Sequence, residues 1–107
     1  MAHRRELSDS RKKREEDRLA FLRWIADARR EADDLRATIA IVPQNGDLPP
    51  DYQRMIAWAR HRLAELEGQI AIERIQATLV ERQLYREPDP LFDPEGDPPP
   101  KKNYWDD

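Results

Sequence analysis

Apolar residues recur at alternating steps of three and four along two stretches of the chain, a spacing that places side chains on one face of an α-helix. The first stretch comprises Phe21, Ile25, Ala28, Ala32, Leu35, Ile39 and Val42. The second comprises Tyr52, Ile56, Ala59, Leu63, Leu66, Ile70, Ala77, Val80 and Leu84. We therefore predict two helices, over residues 10–42 and 50–86, each of which buries one stripe.

The link between these helices has the composition of a turn. Residues 43–49 read Pro-Gln-Asn-Gly-Asp-Leu-Pro, in which the Asn-Gly pair and the flanking prolines favour a turn. Pro50 and Asp51 suit the first turn of the second helix, where a missing N–H costs nothing and a carboxylate complements the helix dipole. Because a short link makes consecutive helices antiparallel neighbours, the predicted fold is all-α, a coiled-coil-like antiparallel two-helix hairpin over residues 10–87.

The two stripes can be aligned so that apolar residues face each other along the whole pair. In this register Phe21 faces Ile70, and one step further Arg18 faces Glu73, two charged residues that interrupt the stripes. A half-buried ion pair adds little net stability, yet it fixes the register because a slip leaves each charge unpaired. The alternative is two solvated charges near a fraying end.

A second apolar line on the second helix is left uncovered by a two-helix hairpin. This predicted partner interface comprises Trp58, Gly68, Ile72, Ile75 and Leu79, together with Leu22 and Trp24 of the first helix. A helix that is apolar on two faces is normally buried on both, so we expect self-association or a protein partner to complete the fold. Gly68 would then allow close backbone approach or make room for the Trp24 indole. Scattered surface hydrophobics and a tolerated glycine are the alternatives.

Composition narrows the class of protein. The chain has 107 residues, of which 38% are hydrophobic and 38% charged, enough for one small domain with a limited core. It has no cysteine, which excludes disulfides, thiolate zinc sites and thiol nucleophiles. It also lacks an apolar signal region and any run of about 18 apolar residues, so we expect a cytoplasmic protein without a membrane span.

Charge divides the chain into three parts. Residues 1–18 carry seven basic and five acidic side chains, residues 19–86 are balanced, and residues 87–107 carry seven acids against two lysines. The last part also holds six of the nine prolines. We predict a disordered basic N-terminus over residues 1–9 and a disordered, acidic, proline-rich tail over residues 88–107.

One candidate binding element lies at the start of the first helix. It is the basic run Arg11, Lys12, Lys13 and Arg14. Such a run can neutralise nucleic-acid phosphates, although acidic residues follow at once and no aromatic residue within it could stack on bases. A solvated helix start is the alternative.

A second candidate binding element lies in the tail, where large apolar residues interrupt the acidic sequence. They are Leu91, Phe92, Tyr104 and Trp105. Isolated apolar anchors in such a segment are typical of short motifs that dock on a folded partner. The alternative is that the tail folds back onto the hairpin itself.

Catalytic and metal-binding chemistry has few candidates. His61 lies one helical turn before Glu65, but this pair lacks the further ligands that a metal site needs. Serine occurs only at positions 8 and 10, with no histidine spaced to activate it. The three glycines form no phosphate-binding loop. We therefore predict no catalytic, cofactor or metal site, and no enzyme activity.

These observations together favour a non-catalytic protein–protein interaction module. We expect a small adaptor or assembly subunit of a larger complex, acting through the outer face of the second helix and through the tail. The alternative is a nucleic-acid-associated small regulator or packaging component that uses the basic start of the first helix.

Overall fold

The computed structural model describes residues 2–92, and the side chains of residues 5–92. The chain is all-helical over this range, with no strand among the residues described. Its three helices are α1 (Ala2–Ala40), α2 (Pro50–Gln69) and α3 (Ile72–Glu81). The predicted all-α class is thus confirmed, whereas the number and the bounds of the helices differ from the prediction.

The first difference is at the N-terminus, where α1 begins at Ala2 instead of residue 10. The prediction of disorder over residues 1–9 is therefore wrong for residues 2–9. These residues include no proline or glycine, so nothing in the backbone chemistry stops the helix there. With a rise of 1.5 Å per residue, α1 is about 58 Å long.

The link between α1 and α2 is a turn, as predicted, and occupies residues 41–49. Gly46 has a φ of 115°, in the left-handed region that glycine adopts without steric cost. The Gln53 amide Nε2 donates a hydrogen bond of 2.7 Å to the Leu48 carbonyl and so ties the turn to the start of α2. Pro50 and Asp51 occupy the first turn of α2, as predicted.

The tightest packing in the described chain joins α1 to α2. Its centre is a buried cluster of Ala28, Ala32 and Leu66, against which Leu35, Leu63 and Ile70 pack. Ala32 is 0% exposed and Leu66 is 2% exposed. Because alanine has no side chain beyond Cβ, the two helices approach closely and a single leucine fills the space between them.

The direction of α2 follows from the residues that meet at each end of this contact. Ile39 and Ile56 line one groove beside the turn, while Phe21 and Gln69 line another at the far end. α2 therefore returns along α1 from the turn. Members of both predicted stripes lie at this contact, namely Ala28, Ala32, Leu35, Leu63, Leu66 and Ile70.

Ion pairs accompany the alanine-rich contact. Arg62 donates two hydrogen bonds to the Glu31 carboxylate, of 2.7 and 2.9 Å. Arg36 donates to Glu67 at 3.0 Å and to Asp33 of its own helix at 2.7 Å. The hydrogen bond from Arg62 lowers the pKa of Glu31. These pairs are solvent-accessible, so they orient the helices more than they stabilise them.

The predicted second helix, residues 50–86, is interrupted at residues 70–71. Ile70 caps α2, and Ala71 is extended, with φ −65° and ψ 144°. The Ile70 N–H donates to the Leu66 carbonyl at 3.0 Å, which closes α2. An unbroken helix would carry Glu73 into the apolar stripe. The break leaves Glu73 exposed, so the chain avoids the free-energy cost of burying an unpaired charge.

The break also changes which residues of α3 face inward. Ile75 and Leu79, assigned to the outer line by the sequence, are half-buried. Ala77 and Val80, assigned to the buried stripe, are exposed. The predicted stripe is therefore wrong at Ala77 and Val80, because it assumed that the 3.6-residue period continued through the break, whereas its last member, Leu84, is buried.

The glycine of the predicted interface has a different role from the one expected. Gly68 is the penultimate residue of α2, and a Cβ built on it would meet nothing within 4 Å. Among the described residues, neither another backbone nor the Trp24 indole lies against Gly68. The low helix propensity of glycine instead suits the end of a helix.

α3 ends in a Schellman motif, which turns the chain back toward α1. The Gln83 N–H donates to the Val80 carbonyl and the Leu84 N–H donates to the Leu79 carbonyl, both at 3.1 Å. Gln83 adopts a φ of 55°, where glycine is the usual residue. The helix predicted to reach residue 86 therefore ends at Glu81, and Leu84 is buried.

Candidate protein interface

Three arginines on one face of α1 hold the chain that follows α3. We call Arg11, Arg14 and Arg18 the arginine face and residues 84–92 the C-terminal segment. Arg18 Nε donates to the Leu84 carbonyl at 2.7 Å, and its guanidinium lies 4.2 Å from the centre of the Tyr85 ring. Arg11 Nε donates to the carbonyl of Leu91 at 2.8 Å. The C-terminal segment is thus attached to α1 at several successive points.

The central contact of the arginine face is an ion pair between Arg14 and Asp89. The same Asp89 oxygen, Oδ1, also accepts a hydrogen bond of 2.9 Å from the Leu91 N–H. The hydrogen bond from Arg14, followed by that from the Leu91 backbone, lowers the pKa of Asp89. The Arg14 side chain is only 16% exposed, so its charge lies largely against its own chain.

The predicted nucleic-acid run is divided between two faces of α1. Arg11 and Arg14 turn toward the C-terminal segment, whereas Lys12 and Lys13 are exposed. Lys13 pairs with Asp17 at 2.8 Å, and this hydrogen bond raises the pKa of Lys13. The four residues therefore do not form one continuous basic surface.

The predicted pairing of Arg18 with Glu73 is wrong. Arg18 meets Leu84 and Tyr85, while Glu73 is exposed in the first turn of α3. The prediction assumed a single straight helix from residue 50 to residue 86. The break before α3 and the turn after it bring a later part of the chain to Arg18.

α3 carries an exposed apolar surface. Ile72 is 81% exposed and Val80 is 63% exposed, and Gln76 lies between them at helical steps of four. Val80 and Leu79 also line an open groove of about 500 Å³ that extends to Tyr85. We call Ile72, Gln76 and Val80 the outer face of α3. Within this helix, no residue is buried.

The other members of the predicted interface do not join this surface into one line. Trp58 is exposed on α2, on the far side of the helix break from Ile72. Leu22 is exposed on α1. Trp24 stacks on Phe21, with ring centres 5.8 Å apart and planes inclined by 8°. The predicted interface is therefore distributed over three helices.

The residues of the predicted tail differ in their placement. Leu91 is half-buried, and Phe92 is exposed with its N–H donating to the Asp89 carbonyl at 3.2 Å. Of the tail predicted from residue 88, the structure describes residues 88–92, and the arginine face contacts them through Asp89 and Leu91. Tyr104 and Trp105 lie outside the described residues.

The remaining candidate chemistry is sparse. His61 Nε2 lies 3.6 Å from a Glu65 carboxylate oxygen, and both side chains are exposed. In the part of the chain that the structure describes, no three potential metal ligands converge, and no helix is long and apolar enough to cross a membrane.

Sequence reasoning missed the arginine face. The spacing of Arg11, Arg14 and Arg18 places them on one side of a helix, which is a readable signal. The residues they bind include two backbone carbonyls, and a carbonyl partner leaves no trace in the sequence.

Comparison with known proteins adds no functional assignment. No protein family matches the sequence, and no curated protein or solved structure is significantly similar to it.

Proposed function

We propose that the protein is a non-catalytic protein–protein interaction module, a small adaptor or assembly subunit in which an antiparallel, coiled-coil-like α1–α2 hairpin presents α3 to a partner. The observation that carries this proposal is that α3 has ten residues, none of them buried, and an exposed apolar outer face.

Helix length gives the physical reason. Isolated helices shorter than about 12–15 residues are marginal in water, and helices in proteins draw most of their stability from burying an apolar face. Among the apolar side chains of α3, only Ile75 and Leu79 are half-buried by the rest of the described chain. Burial of Ile72 and Val80 against a partner would contribute at most about 1.5–3 kcal/mol for each side chain. Binding and helix stabilisation would therefore reinforce each other.

The outer face of α3 suits a second copy of the chain. If two α3 helices pair antiparallel about a twofold axis, Ile72 of each copy meets Val80 of the other. Gln76 then meets its own counterpart at the axis, where the two amides can hydrogen bond and specify the register. A homodimer is thus the partner arrangement we propose first, and a larger complex would be built around it.

The C-terminal segment offers a second contact in this proposal. Phe92 is exposed while the backbone beside it is held by Arg11 through Leu91. An apolar side chain on an anchored backbone binds with a smaller loss of conformational entropy than one on a free chain.

The alternative of nucleic-acid binding has less support from the contacts. Arg11 and Arg14 bind the C-terminal segment, and Asp89 lies where a phosphate would have to approach Arg14. Lys12 and Lys13 remain as exposed cations. We therefore propose a protein partner in preference to a nucleic acid.

Light scattering across a concentration series tests the proposal. We expect the full chain to form a dimer, and Ile72→Asp to return it to a monomer because the charge cannot be buried in the pair. Ile41→Asp is a matched control, since Ile41 is 78% exposed in the turn far from α3. The control should leave the mass unchanged, and circular dichroism should show that both variants keep α1 and α2.

Two results would contradict the proposal. One is equal loss of mass in Ile72→Asp and Ile41→Asp, which would place the interface elsewhere or indicate general unfolding. The other is a monomer at every concentration in which the α3 amides are strongly protected from hydrogen exchange, because α3 would then need no partner.

A further inference from the structure

A cavity of about 340 Å³ lies between α1 and α3, on a different side of α3 from its outer face. It is lined by Phe21, Trp24, Gln69, Arg74, Thr78 and Arg82. Among the described residues, no Cα of α3 lies within 8 Å of a Cα of α1. The two helices are thus held apart, and the space between them is at the lower end of the range for ligand pockets.

The cavity combines an aromatic surface with two cations. Phe21 and Trp24 stack in parallel on α1. On α3, Arg74 and Thr78 lie one helical turn apart, and Arg82 continues their line with its guanidinium 5.5 Å from the Phe21 ring centre. Over residues 5–92, neither Arg74 nor Arg82 forms an ion pair with a carboxylate.

This chemistry fits an aromatic side chain that has carboxylates beside it. The ring can stack on Trp24, which is 43% exposed, and the carboxylates can approach the guanidinium groups, which bind them with matching planar geometry. The chain itself contains such a sequence, Tyr104-Trp105-Asp106-Asp107.

The sequence can reach the cavity from the point where the C-terminal segment is anchored. Arg11 holds the Leu91 carbonyl, and the helical rise from Arg11 to Trp24 is about 20 Å. The chain from Phe92 to Trp105 spans about 43 Å when fully extended. The required distance is about half of this span, so docking needs no displacement of α3.

We propose that residues 104–107 of this chain dock in the cavity between α1 and α3. Trp105 packs against the exposed Trp24 ring, while Asp106 and Asp107 approach Arg74 and Arg82. This contact is separate from the outer face of α3, so it neither requires nor prevents the homodimer.

Tryptophan fluorescence of the full chain tests the docking. The chain has three tryptophans, so the parent for the test carries Trp24→Phe and Trp58→Phe, which keep an aromatic ring in the cavity and leave Trp105 as the single fluorophore. We expect Trp105 in this parent to have blue-shifted emission and to be protected from acrylamide quenching.

Charge reversal then identifies the contact. Adding Arg74→Glu and Arg82→Glu should lower the ratio of docked to free tail about five- to tenfold, the effect of losing two solvent-accessible ion pairs. Adding Asp106→Lys and Asp107→Lys to that variant should restore the protection. Arg29→Glu with Arg60→Glu is the matched control, because both arginines are exposed and neither lines the cavity.

Three results would overturn the proposal. The first is Trp105 in the parent that quenches like free tryptophan. The second is protection that survives charge reversal at Arg74 and Arg82. The third is protection that rises with protein concentration, which would mean that the tail binds a second copy. Circular dichroism of each variant excludes unfolding as the cause of a loss.

Discussion

The contact of α1 with α2 and its contact with the later part of the chain are built in different ways. The first has Ala28 and Ala32 at its centre and brings two helices together around the buried Leu66. The second keeps α3 away from α1 and uses Arg14 and Arg18 to reach a carboxylate, a carbonyl and a ring. The single long helix α1 thus supports one contact that is based on the burial of apolar side chains and another that is based on directional polar bonds.

The boundary between these two regions is the break at residues 70–71. Up to Ile70, apolar side chains recur at a regular helical period and pack against α1. Beyond it, Glu73 would enter the stripe, and the chain instead changes direction. The packing therefore follows the apolar pattern before the break and departs from it afterwards.

The largest expected effect concerns the buried region. Leu66→Ala should lower the free energy of unfolding by about 3 kcal/mol, because it leaves a cavity where the surrounding alanines cannot move in to fill it. Ile75→Ala in α3 should cost about 1 kcal/mol, since Ile75 is only half-buried. Urea unfolding followed by circular dichroism measures both values. Equal costs would show that α3 belongs to the same core as α2.

A smaller effect is expected at the turn that ends α3. Gln83→Gly should stabilise the protein by about 1 kcal/mol, because glycine adopts the left-handed conformation without the clash of a Cβ. Ala77→Gly, in the exposed middle of the same helix, should destabilise it by about 1 kcal/mol. Amide exchange at Leu84 and thermal unfolding give the sign of each change. A destabilised Gln83→Gly variant would mean that the Schellman motif is absent in solution.

The smallest effect is the response of the C-terminal segment to acid. Arg14 lowers the pKa of Asp89 below its usual value of 3.8, so the ion pair stabilises the folded segment above that value. This stabilisation is lost as the pH falls through the lowered pKa. We expect the protection factor of the Leu91 amide to decrease below about pH 4.

Asp89→Asn separates this response from that of the buried region. Acid also weakens the pair of Glu31 with Arg62. The pKa of Glu31, like that of Asp89, lies below its usual value in the folded chain, and protonation of the carboxylate removes the pair. The variant should remove the pH dependence at Leu91 and leave that of the α2 amides unchanged. A pH dependence at Leu91 that persists in Asp89→Asn would assign it to another group.

Much of the first region could be predicted from the sequence. The apolar period gave the helical stripes on both sides of the turn, and the Asn-Gly pair gave the turn with its positive φ at Gly46. These features depend on local pattern, because each follows from residues within a few positions of one another. The helical residues 2–9 could not be predicted in this way, because Leu7 is their one large apolar residue and they show no apolar period.

The second region could not be predicted in the same way. The break at Ala71 follows Gly68, a poor helix former, but a continuous helix with a tolerated glycine fits the same sequence. The attachment of Arg18 to the Leu84 carbonyl depends on where the chain travels after that break. The arrangement of the candidate interface therefore depends on tertiary structure, although the sequence alone predicts that Ile72 is an apolar residue left exposed by the hairpin.

The reversal of the chain at Gln83 has a mechanical consequence. Because it sends the C-terminal segment back along α1, Arg11 and Leu91 are bonded across 80 positions of sequence. A tension applied between these two points would break the contacts of Arg11, Arg14 and Arg18 in succession. The alanine-rich contact of α1 with α2 would bear the force only after these contacts had opened. The molecule would yield first at low force, with its helical pair still intact.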